Sequence, residues 1–154
     1  MIGDLTDSQI DHLLRTECVA RIGCRDGERC YVAPVSFVYE EGCFYAHSAL
    51  GLKIDAMRVC PAVCVQVDHI IDLANWESVI AWGEYEELHG ADADAAMALL
   101  VERLAPRISD KGGSLPHPWD EHGGAAEHIL HRASRHGIVY RIRVTEITGR
   151  YEKR

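Results

Sequence analysis

From Cys18 onward the apolar residues of this chain tend to recur at every second position, and that period constrains the fold more than any other feature. Cys18–Cys24 reads as a strand, Asp26-Gly27-Glu28 as its turn, and Cys30–Tyr39 as a second strand rich in Val, Phe and Tyr. Glu40-Glu41-Gly42 then closes a hairpin to Cys43–His47. Ala62–Asp68 sets Val63, Val65 and Val67 on one side, and a loop over His69–Asn75 leads to Ser78–Leu88, where Gly83 marks a bend or bulge. In Gly137–Ile147, Ile138, Tyr140, Ile142 and Val144 alternate with Val139, Arg141, Arg143 and Thr145. The charged tail Thr148–Arg154 is expected to fray. Pro34 has no N–H to donate, so its strand should be an edge or contain a break in pairing that leaves backbone groups for a ligand.

Three segments change the period to that of a helix. Thr6 and Gln9 form a capping-box pattern, Leu5 and Ile10 a hydrophobic staple, and Ile10, Leu13 and Leu14 an apolar stripe. Ser48–Val59 reads as a short helix with Ser48 as N-cap, Leu50, Ile54 and Met57 facing inward, and Pro61 just beyond its end. Ala91–Ala105 repeats Met97, Leu100, Val101 and Leu104 at helical spacing, and Pro106 ends it. Residues 107–136 hold Gly112-Gly113, Pro116, Pro118, Gly123-Gly124 and five of the nine histidines, and read as a long loop or lid with a short helix near Ala125–Ser134. The order β-β-β-α-β-β-α-β implies one mainly β domain over 1–154, a small antiparallel barrel with helices at its openings. It excludes a doubly wound sheet, because βαβ units are too few.

Composition narrows the function. The 154 residues, 47% hydrophobic, are ordinary for one globular domain. A formal net charge of −8 argues against nucleic acid or an acidic membrane as a partner, so an anionic ligand needs a local positive pocket. No apolar run approaches a bilayer span, and the acidic start Met1–Asp7 lacks a signal-like apolar stretch. A cytoplasmic protein with six free thiols is the expectation.

Phe44–Lys53 is the segment that carries chemistry. A strand ends in His47-Ser48, and a helix opens at once with Gly51 and Lys53 in its first turn. Free N–H groups, a hydroxyl, a glycine that permits close approach and a lysine together make an anion site. A cation there opposes the helix dipole, so a bound anion explains Lys53 better than helix stability does. An exposed lysine, a capping serine and a histidine packed at a strand end would account for the same residues.

The blocks Val32-Ala33-Pro34-Val35-Ser36-Phe37-Val38-Tyr39, Gly42–Ala49 and Gly51-Leu52-Lys53 occur in this order, followed by Pro61–Asp68 and Trp76–Gly83. Together they resemble the pyridoxamine 5'-phosphate oxidase-like superfamily, in its nitroimidazole-reductase-like, flavin-nucleotide-binding branch. The resemblance covers residues 1–105 and the last strand. It implies an antiparallel, Greek-key-like split β-barrel, a homodimer, and FMN in a groove between the subunits. Carried over position by position, Pro34, Val35, Ser36 and Phe37 would line the flavin ring. His47, Ser48 and Ala49 would meet the ribityl-phosphate region, and Lys53 would pair with the phosphate. Trp76, Ser78 and Val79 lie in the stretch that approaches the flavin, commonly from the partner subunit.

Two departures limit this. The vitamin oxidases carry an arginine where this chain has Pro34, and their C-terminal Arg- and His-containing motif is not evident over Gly137–Arg154, so vitamin B6 synthesis is not implied. Cys60 and Cys64 lack zinc-knuckle spacing, and Cys64 is expected to be a structural thiol in a strand. His117, His122, His128, His131 and His136 read as a polar lid, although His128 and His131 with Asp120 or Glu121 have metal-ligand chemistry; no metal is expected. Trp119 is the tryptophan placed to form a pocket wall, and Arg141 and Arg143 share one side of the last strand. The expected function is an FMN-dependent oxidoreductase passing electrons or hydride to a small organic acceptor, with His47 as proton donor or substrate contact. The rival is a non-catalytic flavin- or haem-binding module.

Overall fold

The first helix, α1 (Asp7–Thr16), starts where its capping residues put it. The Gln9 N–H donates to Thr6 Oγ1 at 3.3 Å, and the Thr6 N–H donates to Gln9 Oε1 at 2.8 Å. A cap of this kind stabilises a helix start by about 1 kcal/mol. Ile10, Leu13 and Leu14 are buried along one face, and Leu5 and Ile10 both lie against Gly149. The computed structural model describes residues 1–108 and 137–154. The expectations for His117, Trp119, Asp120, Glu121, His122, His128, His131, His136 and a helix near 125–134 fall outside them.

Eight strands follow the period of two among the described residues: β1 (Ile2–Asp4), β2 (Val19–Asp26), β3 (Arg29–Ser36), β4 (Val38–Glu40), β5 (Cys43–Ala49), β6 (Ala62–Asp72), β7 (Asn75–Glu87) and β8 (Gly137–Glu152). The turns are built as their residues dictate. Gly27 (φ 62°) joins β2 to β3, while Glu41 (φ 47°) and Gly42 (φ 76°) join β4 to β5, all in the left-handed region that tight hairpins require.

The structure corrects three strand boundaries. The expected strand over 30–39 divides at Phe37, not at Pro34. Pro34 pairs opposite Arg21 inside β3, an edge strand, where a missing N–H is tolerated. Phe37 turns its ring into the core, 1% exposed, and donates its N–H to the Cys18 carbonyl at 3.0 Å. The expected loop over 69–75 shrinks to Leu73-Ala74, because Asp72 Oδ1 accepts from the Ala74 N–H at 2.8 Å and from Asn75 Nδ2 at 3.0 Å. The tail does not fray: β8 runs to Glu152, held between β7 (Trp76 opposite Glu152) and β1 (Ile2 opposite Glu152).

The sheet order is β3-β2-β6-β7-β8-β5-β4, antiparallel throughout, with β1 added beside β8. β3 and β4 stand at its two ends, yet only Phe37 separates them in the chain. The sheet must therefore curl until its ends approach, and it stays open along that line. This is a split barrel.

Its inner face holds Ile22, Phe44, Ala46, Val65, Val67, Val79, Ala81, Tyr140 and Ile142, closed by Leu13 and Leu14 of α1 and by Ile54 and Met57 of α2 (Leu52–Val59). The helix α3 (Gly90–Leu104) covers part of the outer face, where Ala96, Leu100 and Leu104 pack near Val38, Tyr45 and Val139. The expected helix over 91–105 is thus present, shifted by one residue. Outside β3, β2, β6 and β7, Val19, Val32, Ile80 and Trp82 remain exposed.

Candidate functional site

The junction between β5 and α2 differs from the sequence expectation in a way that shapes the site. Ser48 is not a helix cap; it belongs to β5 and pairs opposite Ile138. The long-range ladder to β8 holds the backbone extended through Ala49, overriding the local preference of serine for a cap. The helix begins at Leu52, after an extended Gly51 (φ 171°) that gives it no side-chain cap. Leu50, expected inward, is 53% exposed, whereas Ile54 and Met57 are fully buried as expected.

Because β5 continues, consecutive side chains leave opposite faces of the sheet. Phe44 and Ala46 face the barrel interior, and Ser48 follows them. Tyr45 packs toward α3, and His47 shares its side. His47 and Ser48 are therefore neighbours in sequence but not at one surface.

Ser48 Oγ lies 3.4 Å from the hydroxyl of Tyr140, a wholly buried residue of β8. Cys24, buried in β2, sits in the same neighbourhood. Burial pushes the Cys24 thiol up, and the charge of Lys53 in the first turn of α2 draws it partly back. Ser48 and Tyr140 thus meet beside the start of α2, whose first turn carries Lys53. Among the described residues, a Cβ built on Gly51 would meet no atom within 4 Å. A part-buried hydroxyl, a lysine and helix N–H groups without a side-chain cap are groups that suit an anion.

The remaining predicted site residues separate into two sets. Val35, Phe37 and Val79 point into the core, so each presents only backbone to a ligand in this chain. Pro34, Ser36 and Ser78 lie on the outer face. There Ser78 Oγ accepts from Gln66 Nε2 at 3.1 Å, Gln66 also donates to Asp68 Oδ2 at 2.7 Å, and Asp68 Oδ1 accepts from Arg21 at 3.1 Å. Trp76 stands farther along β7 and donates its indole N–H to Glu152 Oε2 at 3.2 Å. Cys64 lies half-buried in β6 against Gly23, as a strand thiol should.

Two shallow clefts of about 180 and 240 Å³ lie away from the Ser48–Lys53 segment. One is between α1, β4 and α3, where Arg15 and Arg103 both reach Glu40; the other is beside Trp76, His69 and Lys153. The Tyr140–Ser48, Arg21–Asp68 and Gln66–Ser78 pairings are not legible in the sequence because the partners are 92, 47 and 12 residues apart. The only available signal was parity: Tyr140 belongs to the inward set of its strand. Among the described residues no cluster of His, Cys, Asp and Glu could hold a metal, and no helix is long and apolar enough to cross a membrane.

Comparison with known proteins agrees with this architecture. The family model described as pyridoxamine 5'-phosphate oxidase matches residues 6–151. An uncharacterized protein of Rhizobium meliloti (strain 1021) is 29% identical over 135 residues, covering 86% of this chain and 83% of that protein. A solved structure of an FAD-binding protein from Mesorhizobium loti aligns with a TM-score of 0.73 at 26% identity, covering 99% of each chain. A structure from Bacteroides thetaiotaomicron, described as a 5-nitroimidazole antibiotic resistance protein, shares the fold with a TM-score of 0.66 at 18% identity, over 98% of this chain and 87% of that one. With the model matching almost end to end on a split barrel of this order, the chain belongs to the pyridoxamine 5'-phosphate oxidase family.

Proposed function

We propose that this protein is an FMN-binding flavoprotein that passes electrons or hydride to a small organic acceptor, in the manner of a nitroreductase. The observation that carries the reading is the placement of Ser48 at the end of β5 and Lys53 in the first turn of α2, on either side of a helix start with no side-chain cap, within a family fold whose solved relatives include an FAD-binding protein. Bound flavin would supply the redox chemistry. The chain's own residues do the rest: Lys53 and Ser48 hold the phosphate. Backbone of the Pro34–Phe37 segment borders the ring, and Trp76, Ser78 and Val79 complete the groove from the partner subunit. His47, on the strand face toward α3, serves as proton donor. FMN is favoured over FAD because the site offers one compact anion cradle.

The test is reconstitution of purified protein with FMN, FAD or riboflavin, followed by visible spectra. The expected result is a flavin spectrum with FMN, bleached by a nicotinamide donor and restored by an organic acceptor. A flavin spectrum without turnover would favour a carrier or sensor, and a Soret band would favour haem. A colourless protein that takes up no flavin would end the proposal.

The reading includes a homodimer in the cytoplasm, its six thiols unpaired. Support comes from the outer face, where Val19, Val32, Ile80 and Trp82 are 44, 66, 40 and 41% exposed. Apolar groups collected on one sheet face, with no helix over them among the described residues, suit a second copy. The expected mass in solution is that of a dimer, and Trp82→Glu should shift it toward monomer while the fold persists. A wild-type monomer at micromolar concentration would refute the dimer.

A further inference from the structure

We propose that Tyr140 is a positioning residue that sets the preference for a phosphorylated flavin, by donating to Ser48 and so leaving the serine proton for the phosphate. This rests on the phosphate-site reading above.

The geometry begins with a hydroxyl that has little choice. Tyr140 is 0% exposed, opposite Ala46 in the β5–β8 ladder, and its ring is held against Tyr85 at 5.2 Å between centroids. Its hydroxyl has Ser48 Oγ as hydrogen-bond partner, 3.4 Å away across the ladder. A buried hydroxyl left without a partner loses its hydration uncompensated, and among the described residues this contact is the one that supplies a partner. Serine carries one donor and two acceptor sites, whereas the phenol is the more acidic hydroxyl and the better donor. The lower-energy arrangement therefore runs from Tyr140 to Ser48. Burial pushes the Tyr140 hydroxyl up to about 12, which keeps its proton in place through the physiological range.

With its acceptor capacity engaged from inside the barrel, Ser48 turns its own O–H toward the half-exposed side, the side on which α2 begins. There the hydroxyl adds a donor to those of Lys53 and the helix start. An anionic oxygen gains from this; an unphosphorylated ribityl chain gains far less, because a hydrogen bond to an ionised acceptor is about twice as strong as a neutral one. The fixed orientation removes the reverse arrangement, in which Ser48 would donate inward and present lone pairs to the anion.

The experiment is a comparison of FMN and riboflavin affinities, by fluorescence titration, for wild type, Tyr140→Phe, Ser48→Ala, the double variant and Lys53→Ala. Phenylalanine keeps the buried ring and removes only the hydroxyl. The expected result is about a fivefold loss of FMN affinity in Tyr140→Phe with riboflavin unchanged, and less than about a twofold further loss when the substitution is added to Ser48→Ala. A purely structural tyrosine would weaken both flavins equally, or act undiminished without Ser48, and either outcome overturns the proposal. If FMN binds and depends on Lys53 but Tyr140→Phe is silent, this inference alone fails. If wild type does not distinguish FMN from riboflavin, the phosphate site itself is wrong.

Discussion

Gly83→Ala is expected to lower the free energy of unfolding by about 3 kcal/mol, a drop in midpoint of roughly 6–12 °C for a domain of this size. A Cβ at this position would lie 2.3 Å from the Arg143 carbonyl oxygen, 2.9 Å from its carbonyl carbon and 2.9 Å from Ile142 Cγ2. Two of these atoms are backbone in β8, the strand that pairs with β7, β5 and β1. They have no rotamer by which to yield, so relief means opening the β7–β8 ladder. The register already shifts between Trp82 and Gly83, where the partners pass from Glu146 to Val144. A bulge of this kind leaves the glycine pressed on the opposing strand. Gly51→Ala is the matched control, since φ there is extended and none of the described residues lies within 4 Å of the added Cβ; its loss should stay under about 1 kcal/mol, the scale of a weakened cap. Denaturant or thermal melts of both variants decide the matter, and equal midpoints would contradict the close approach at Gly83.

Lys53→Ala should weaken FMN about 10- to 100-fold, the loss of a charge-assisted contact worth about 1.5–3 kcal/mol. Riboflavin affinity should hardly change, and the wild-type advantage should shrink as salt is raised. A melt of the apo variant, run beside the titration, checks that the fold persists. An FMN affinity untouched by the substitution would remove Lys53 from the phosphate site.

Much of the barrel could be read from short-range pattern. The capping box at Thr6 and Gln9, the turns at Gly27 and Gly42 and the bulge at Gly83 each depend on a few adjacent residues, and each stands where its residue types indicate. Alternation likewise sorted Val63, Val65 and Val67, or Tyr140 and Ile142, to the interior. The errors fall where a distant strand outvotes a local preference. Ser48 is a favoured cap residue, but pairing with Ile138 keeps it in β5. Thr148–Glu152 is charged and terminal, but two neighbouring strands close on it. Pro34 stands in an edge strand, one of the two readings its missing N–H allowed, but the strand over 30–39 divides at Phe37, whose ring finds a core to enter.

The candidate site shows the same division. Residue chemistry along Ser48, Gly51 and Lys53 suffices to mark an anion cradle, since a hydroxyl, an approachable backbone and a cation need only be close in sequence. Which of them meet is another matter. Extending β5 to Ala49 turns His47 and Ser48 to opposite faces, a consequence of the two-residue period that appears only once the strand's end is known. Tyr140 reaches Ser48 from 92 residues away, through a ladder that no local pattern encodes. Local propensity is thus sufficient for the kind of element and the side it buries. Where strands end, and which side chains share a surface, is decided by hydrogen bonds and burial between distant segments, whose sum exceeds the sub-kcal/mol preferences of single residues.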